Sequence, residues 1–152
     1  FFDYYKQLNY GFGTDGAASS NTLNPVEQAR LFGLMGKYQE RNSAAYTATE
    51  IWQHLMASHQ AFPFGSGRLK EGAPADLVIW DLYQPDTFPF YSPISAILYS
   101  SNSQNVKYTM VAGEFLKYNG KLKIDTETLT QEAVRLQKAL LERGKGKAQV
   151  AY

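Results

Sequence analysis

Apolar residues recur along the chain at two different periods, and the change falls near Gly67. Before it the spacing is helical. Phe1, Tyr4, Tyr5 and Leu8 share one face and predict the end of a helix. Tyr10-Gly11-Phe12 predicts a brief strand running into a Gly13-Thr14-Asp15 turn. Asn24-Pro25 opens a helix, because Asn caps free N–H groups and Pro is preset for the first helical position. Val26, Ala29, Leu31, Leu34 and Met35 are its expected apolar residues, and the pattern fades near Gln39. Thr47 to His59 predicts a second helix, with Thr47 as cap, Glu50 as its capping-box partner, and Ile51, Leu55 and Met56 facing inward. Phe62 to Gly67 breaks it with Pro and Gly.

After Gly67 the period shortens. Leu77-Val78-Ile79-Trp80 predicts a short strand, and Ile94 to Tyr99 predicts another. Val106 to Leu116 alternates around Gly113-Glu114, the pattern of a β-hairpin with glycine first in its turn. Asn119-Gly120 marks a further turn. A last helix is predicted from about Thr126 to Glu142, with Leu129, Ala133, Leu136 and Leu140 on one stripe. The expected order is α, β, α, α, a mostly β segment, then α, without internal repeat or low-complexity tract.

Composition narrows the class. At 152 residues the chain has the size of one ordinary domain, and 44% hydrophobic with 19% charged residues is a globular balance. A formal charge of +1 without a long basic block argues against a nucleic-acid partner. The basic cluster from Arg143 to Lys147 reads as a frayed, solvated tail. There is no cysteine, so disulfides and thiolate zinc sites are excluded, and a reducing cytoplasm is the expected setting. No apolar run approaches the roughly 18 residues of a membrane helix, and no signal-peptide pattern is present. The start Phe1-Phe2-Asp3, apolar and without methionine, predicts a piece of a longer polypeptide.

Candidate chemistry centres on the run Gly13-Thr14-Asp15-Gly16-Ala17-Ala18-Ser19-Ser20-Asn21. A carboxylate at a strand end, followed by small residues and a helix, is how α/β barrels present a metal ligand or general base. An Asp at a turn also serves simply to accept backbone N–H bonds ahead of a helix. Ser19, Ser20 and Asn21 are small hydrogen-bonding groups suited to ligand contact and equally to an ordinary loop. His54 and His59 are too far around a helix to grip one metal, about 140° apart at roughly 100° per residue, so both read as surface or packing histidines. No His-x-His occurs, Gly-x-Ser-x-Gly is absent, and Gly65-Ser66-Gly67 lacks a nucleophile elbow's context. Gly11-Phe12-Gly13 lacks the later glycine of a dinucleotide fingerprint. The aromatics from Phe88 to Tyr99 read as packing.

Three landmarks, in order, resemble one family. The Gly13 to Asn21 run resembles the eighth-strand motif of the amidohydrolase superfamily, in the branch of methylthioadenosine/S-adenosylhomocysteine deaminases and chlorohydrolases. Gly67-Arg68-Leu69-Lys70-Glu71-Gly72-Ala73-Pro74-Ala75-Asp76-Leu77-Val78-Ile79-Trp80-Asp81 resembles the segment where such chains leave the barrel and re-enter a small β-sandwich. Val106 to Asn119 is similar to that sandwich's terminal hairpin.

The resemblance implies a fold class of α/β plus β. Residues 1–66 would be the last part of a (β/α)8 TIM-type barrel, 67–124 the C-terminal half of a β-sandwich, and 125–152 a terminal helix and tail. A whole barrel takes about 250 residues, so only its last portion fits. In the family, histidines and the eighth-strand Asp surround a divalent metal, zinc being the first choice. The metal activates the water that attacks an amidine-like carbon, and the Asp helps move its proton. Only Asp15 maps onto this set, as metal ligand and catalytic residue, with Ser19, Ser20 and Asn21 near a small-molecule substrate. Asp76 and Gly72 are assigned structural roles, a turn and a backbone angle.

The implied function is part of a hydrolytic deaminase or chlorohydrolase acting on a purine- or triazine-like ring. The chain alone is expected to bind no metal and to be inactive. Its uncovered apolar faces imply a homo-oligomer or poor order at the N-terminus. The rival reading is a non-catalytic remnant, or a stand-alone binding and oligomerisation module.

Overall fold

The computed structural model of the protein describes residues 4–8, 10–60 and 67–144. After a 3-10 turn at Tyr5–Gln7 come α1 (Ala17–Ser20), α2 (Pro25–Glu40) and α3 (Ala48–Gln60). They are followed by β1 (Leu77–Trp80) and by α4 (Pro93–Ser95), which continues as a π-helical turn over Ala96–Ser100. The chain then runs through β2 (Val106–Val111), β3 (Glu114–Tyr118), β4 (Lys121–Leu122) and α5 (Thr126–Gly144). No helix among the described residues is long and apolar enough to cross a membrane.

The two long central helices begin where their caps dictate. Asn24 Oδ1 accepts from the N–H groups of Val26 and Glu27 at 3.1 and 3.4 Å, with Pro25 in the first turn. At α3 the box is reciprocal: Thr47 N–H donates to the Glu50 carboxylate at 2.8 Å, and Glu50 N–H donates to the Thr47 hydroxyl at 3.3 Å. Each end thereby satisfies N–H groups that a helix leaves open.

The inward face of α2 differs from the expected one. Its buried residues are Ala29, Gly33 and Gly36, whereas Leu31, Leu34 and Met35 stand exposed. The reason is distance. A Cβ on Gly36 would lie 2.8 Å from the Tyr46 ring, and one on Gly33 would lie 2.5 Å from Ile51 Cδ1. The helix meets its neighbours with backbone at these glycines, so its small residues turn inward, while Phe32 and Val26 pack at the core's edge and Leu31, Leu34 and Met35 turn out.

The main core gathers Tyr5, Ala29, Tyr46, Ile51, Leu55 and Leu98, with Tyr10, Phe12 and Phe32 packed against it. A second cluster of Leu82, Ala96 and Ile97 adjoins it through Val26 and Trp52. The segment expected as a strand at Ile94 to Tyr99 is helical instead. Ser92 caps it by accepting the Ser95 N–H at 3.3 Å, and Pro93 is preset for the first turn. Ala96, Ile97 and Leu98 are consecutive and all buried, which a wedged helical turn allows and strand alternation does not. Arg30 secures its end, donating to the carbonyls of Leu98 and Ser101 at 2.6 Å each.

The sheet is an antiparallel meander in the order β1-β2-β3-β4. Leu77 faces Met110 across β1 and β2, Val111 faces Glu114 across β2 and β3, and Tyr118 faces Lys121 across β3 and β4. The hairpin forms as expected, but its turn is Ala112-Gly113, with glycine second and both residues at positive φ, 50° and 85°. Asn119-Gly120 turns the same way. Asp76 accepts the Ala112 N–H at 2.7 Å, so its carboxylate holds the turn opposite its own strand, while its backbone N–H donates to the Pro74 carbonyl at 2.9 Å. Gly72 has a φ of 78°, the angle expected of it.

Two terminal expectations change. Among the described residues the expected N-terminal helix end is the Tyr5–Gln7 3-10 turn, and Phe1 lies outside them. Most of the break at Phe62 to Gly67 and the tail beyond Gly144 lie outside them too. On α5 none of the described residues is buried, and Leu129, Leu136 and Leu140 are exposed.

Candidate active site

The strand expected at Tyr10-Gly11-Phe12 does not form among the described residues: this stretch is neither helix nor strand, and Tyr10 and Phe12 pack against the main core. A backbone outside helix and sheet still has donors and acceptors to satisfy, and here α3 supplies partners. The Phe12 N–H donates to Ser58 Oγ at 2.8 Å, and His54 Nδ1 lies 3.3 Å from the Tyr10 carbonyl. The His54 ring also stacks on Tyr10, with centroids 3.9 Å apart and planes 11° from parallel. Phe12 meets Phe32 edge-on at 5.2 Å. Burial, and then the nearby Tyr5, Tyr46 and Glu50, push the Tyr10 phenol far above its ordinary range, so it is neutral.

Beyond this anchored piece the chain turns. Asp15 has a φ of 56°, a left-handed angle that Asp tolerates better than most residues. Its Oδ1 accepts the Gly16 N–H at 2.7 Å, and the Thr14 hydroxyl donates to its carbonyl at 3.0 Å. The carboxylate is exposed. The single turn α1 follows, closed by Asn21 N–H donating to the Ala17 carbonyl at 2.9 Å with Asn21 at a φ of 59°. Ser19 and Asn21 are exposed beside Asp15 in sequence, and the side chain of Ser20 lies outside those described. Asp15 accepts a backbone N–H ahead of a helix, the turn role that its position implies.

No three His, Cys, Asp or Glu side chains among the described residues converge to hold a metal ion. Asp15 offers one carboxylate, and His54 is engaged with Tyr10. These residues fit one corner of a divalent site and not the whole of it. His54 is the packing histidine that its position implied, while the side chain of His59 lies outside those described. Ser58 is not one of the candidate site residues; it belongs to Ser58-His59-Gln60-Ala61, where this chain departs from a Thr- and Gly-containing helix end, and it stands one helical turn after His54 on one face of α3.

The sequence profile of the Amidohydrolase family matches residues 5–116. A 5-methylthioadenosine/S-adenosylhomocysteine deaminase of Caldicellulosiruptor saccharolyticus is 38% identical over 138 residues, covering 89% of this chain and 32% of that protein. Among solved structures, an adenosine deaminase from Xanthomonas campestris with bound zinc matches with a TM-score of 0.80 and 26% identity. The match covers 88% of this chain and 31% of that one. The zinc-complexed atrazine chlorohydrolase from Arthrobacter aurescens TC1 shares the fold, with a TM-score of 0.78 at 24% identity over 89% of this chain and 31% of its own. The chain spans about a third of the length of the curated relatives it matches. The match runs from the Tyr5 turn through the Asp15 segment and the sheet as far as β3, and the chain belongs to the amidohydrolase family.

Proposed function

We propose that this chain is the C-terminal part of a metal-dependent amidohydrolase. The whole enzyme would deaminate a purine- or triazine-like ring hydrolytically, or remove a comparable leaving group from one. The observation that carries this reading is Asp15, an exposed carboxylate on a left-handed turn just after the segment held by α3, within the stretch that matches the family. Residues 1–66 would close the barrel, 67–124 would add half of the sandwich, and 125–152 the terminal helix. A cytoplasmic setting fits such an enzyme.

In this reading Asp15 has two tasks. Its carboxylate would give one oxygen ligand toward a divalent ion, zinc by preference, which would supply the activation of water. As water adds to the ring carbon and ammonia leaves, Asp15 accepts a proton and returns it to the departing nitrogen. Ser19, Ser20 and Asn21 follow on α1 and its end, where they would contact the small-molecule substrate. The remaining metal ligands come from outside the chain, so the chain alone is inactive. The exposed Leu31, Leu34 and Met35 of α2 are where a preceding part of the barrel would pack.

The test joins the 152-residue chain in frame behind the preceding two thirds of the Caldicellulosiruptor saccharolyticus deaminase. Ammonia release from 5-methylthioadenosine is then followed. The joined protein should turn over, Asp15→Asn should lower kcat about a thousandfold, and the chain alone should release nothing. A joined protein that folds, binds zinc and stays inactive favours the non-catalytic remnant, and full activity of Asp15→Asn removes Asp15 from the chemistry.

A further inference from the structure

We propose that Ser58, supported by His54, is a positioning residue for the Asp15 carboxylate, acting through the backbone of Phe12. The proposal rests on the reading of Asp15 as the catalytic carboxylate. Three observations converge on it. First, two side chains of α3, one turn apart, meet the backbone of residues 10–12. Ser58 Oγ takes the Phe12 N–H at 2.8 Å, and His54 Nδ1 stands 3.3 Å from the Tyr10 carbonyl while its ring covers Tyr10.

Second, the Ser58 hydroxyl is tied back to its own helix. It lies 3.2 Å from the His54 carbonyl and 3.5 Å from the Phe12 carbonyl. Its one proton serves the shorter contact better, so its oxygen accepts from Phe12 while its proton holds it to α3. Helix and segment therefore share one hydroxyl. Third, Gly11 makes the approach possible. A Cβ there would lie 2.2 Å from Ser58 Oγ and 2.9 Å from Ser58 Cα, and the second of these is backbone that cannot swing away.

From Phe12 only Gly13 and Thr14 intervene before Asp15, a reach of at most about 10 Å for three residue steps. Fixing the Phe12 backbone thus sets the origin from which the carboxylate extends. The anchor belongs to a packed helix face: Ile51 and Leu55, on the same face of α3 as His54 and Ser58, are buried in the main core. A shift of about 1 Å in a catalytic group is enough to lower a rate by as much as a hundredfold.

The test reads geometry and rate separately. In the 152-residue chain, amide exchange by NMR should show Phe12 protected. Ser58→Ala should speed that exchange at least tenfold and shift the Gly16 amide signal, with Ile51 and Leu55 keeping their protection. Ser58→Thr, which retains the hydroxyl, should restore both signals. In the joined protein described above, Ser58→Ala should lower kcat ten- to a hundredfold with KM within twofold, and Ser58→Thr should recover most of it. Exchange of Phe12 at the free-peptide rate in the unmodified chain overturns the proposal, as does an unchanged kcat in Ser58→Ala once Phe12 protection is lost. An Asp15→Asn protein that keeps full kcat overturns the reading of Asp15 instead, and it is told apart by Phe12 protection that still depends on Ser58. If the joined protein does not turn over, the Phe12 and Gly16 signals of the chain decide the clamp alone.

Discussion

At position 112 an alanine holds a φ of 50°, an angle that crowds its Cβ against the following carbonyl oxygen. Two neighbours compensate. Asp76 accepts the Ala112 N–H at 2.7 Å, and the Gly113 N–H donates to the Ala75 carbonyl at 3.1 Å. Ala112→Gly should relieve the crowding while adding flexibility to the unfolded chain, for a net gain of about 0.5 kcal/mol. Urea unfolding with an unchanged m-value would show it as a higher midpoint. A lower midpoint would mean that the tie to Asp76 already removes the strain. Asp15 is the contrasting case. Its turn was readable because glycines flank a residue type that accepts left-handed angles, whereas nothing about an alanine announces one.

Helix α2 shows how far pattern reading reaches at the scale of an element. Its start at Asn24-Pro25 and its length were legible, since capping chemistry is local. Its buried face was not, because that depends on how near Tyr46 and Ile51 come. Gly36→Ala and Gly33→Ala separate the two contacts. Alanine in place of glycine favours a helix by about 1 kcal/mol, so the clash must exceed that to destabilise. The Cβ at position 36 meets the ring of Tyr46, which is buried and cannot yield. The Cβ at position 33 meets Ile51 Cδ1, the end of a flexible side chain, and the Tyr99 hydroxyl. Gly36→Ala should therefore lose about 1–2 kcal/mol, and Gly33→Ala less; equal losses in chemical denaturation would count against this account of the packing.

The start of α5 carries a pH dependence whose sign follows from its cap. Asp125 accepts from the Thr128 hydroxyl at 2.6 Å and from its N–H at 3.0 Å, and these bonds, the hydroxyl's first, hold its carboxyl below the ordinary range. A depressed carboxyl stabilises above its unfolded value, and that contribution fades as pH falls through the folded one. The first turn of α5 should thus fray when the pH drops from about 5 to below 3, following Asp125 protonation. Thr128 amide exchange would report the change, and Asp125→Asn should remove most of its pH dependence.

Across the whole molecule the core is placed to one side. The two buried clusters lie among the helices and the π turn, while no residue of the four strands is buried. Leu31, Leu34 and Met35 on α2, and Leu129, Leu136 and Leu140 on α5, stay open. Apolar surface on this scale drives association. The isolated chain should sediment as dimers or larger species at tens of micromolar, and Leu31→Lys with Met35→Lys should shift it toward monomer. A sharp monomer for the unmodified chain at that concentration would refute the expectation.

What the sequence determined by itself is whatever short-range chemistry decides. Caps at Asn24 and Thr47, the strand at Leu77–Trp80, the Asn119-Gly120 turn and the last helix depend on neighbours within a few residues. The order of its three motifs likewise carried the family. Tertiary structure decided the rest, because it turns on distances between segments far apart in sequence. Burial of Ala96 to Leu98 between two clusters made a helical turn of an expected strand. Close backbone approach turned the glycines of α2 inward. A single hydroxyl on α3, 46 residues from Phe12 along the chain, took hold of the segment that carries Asp15.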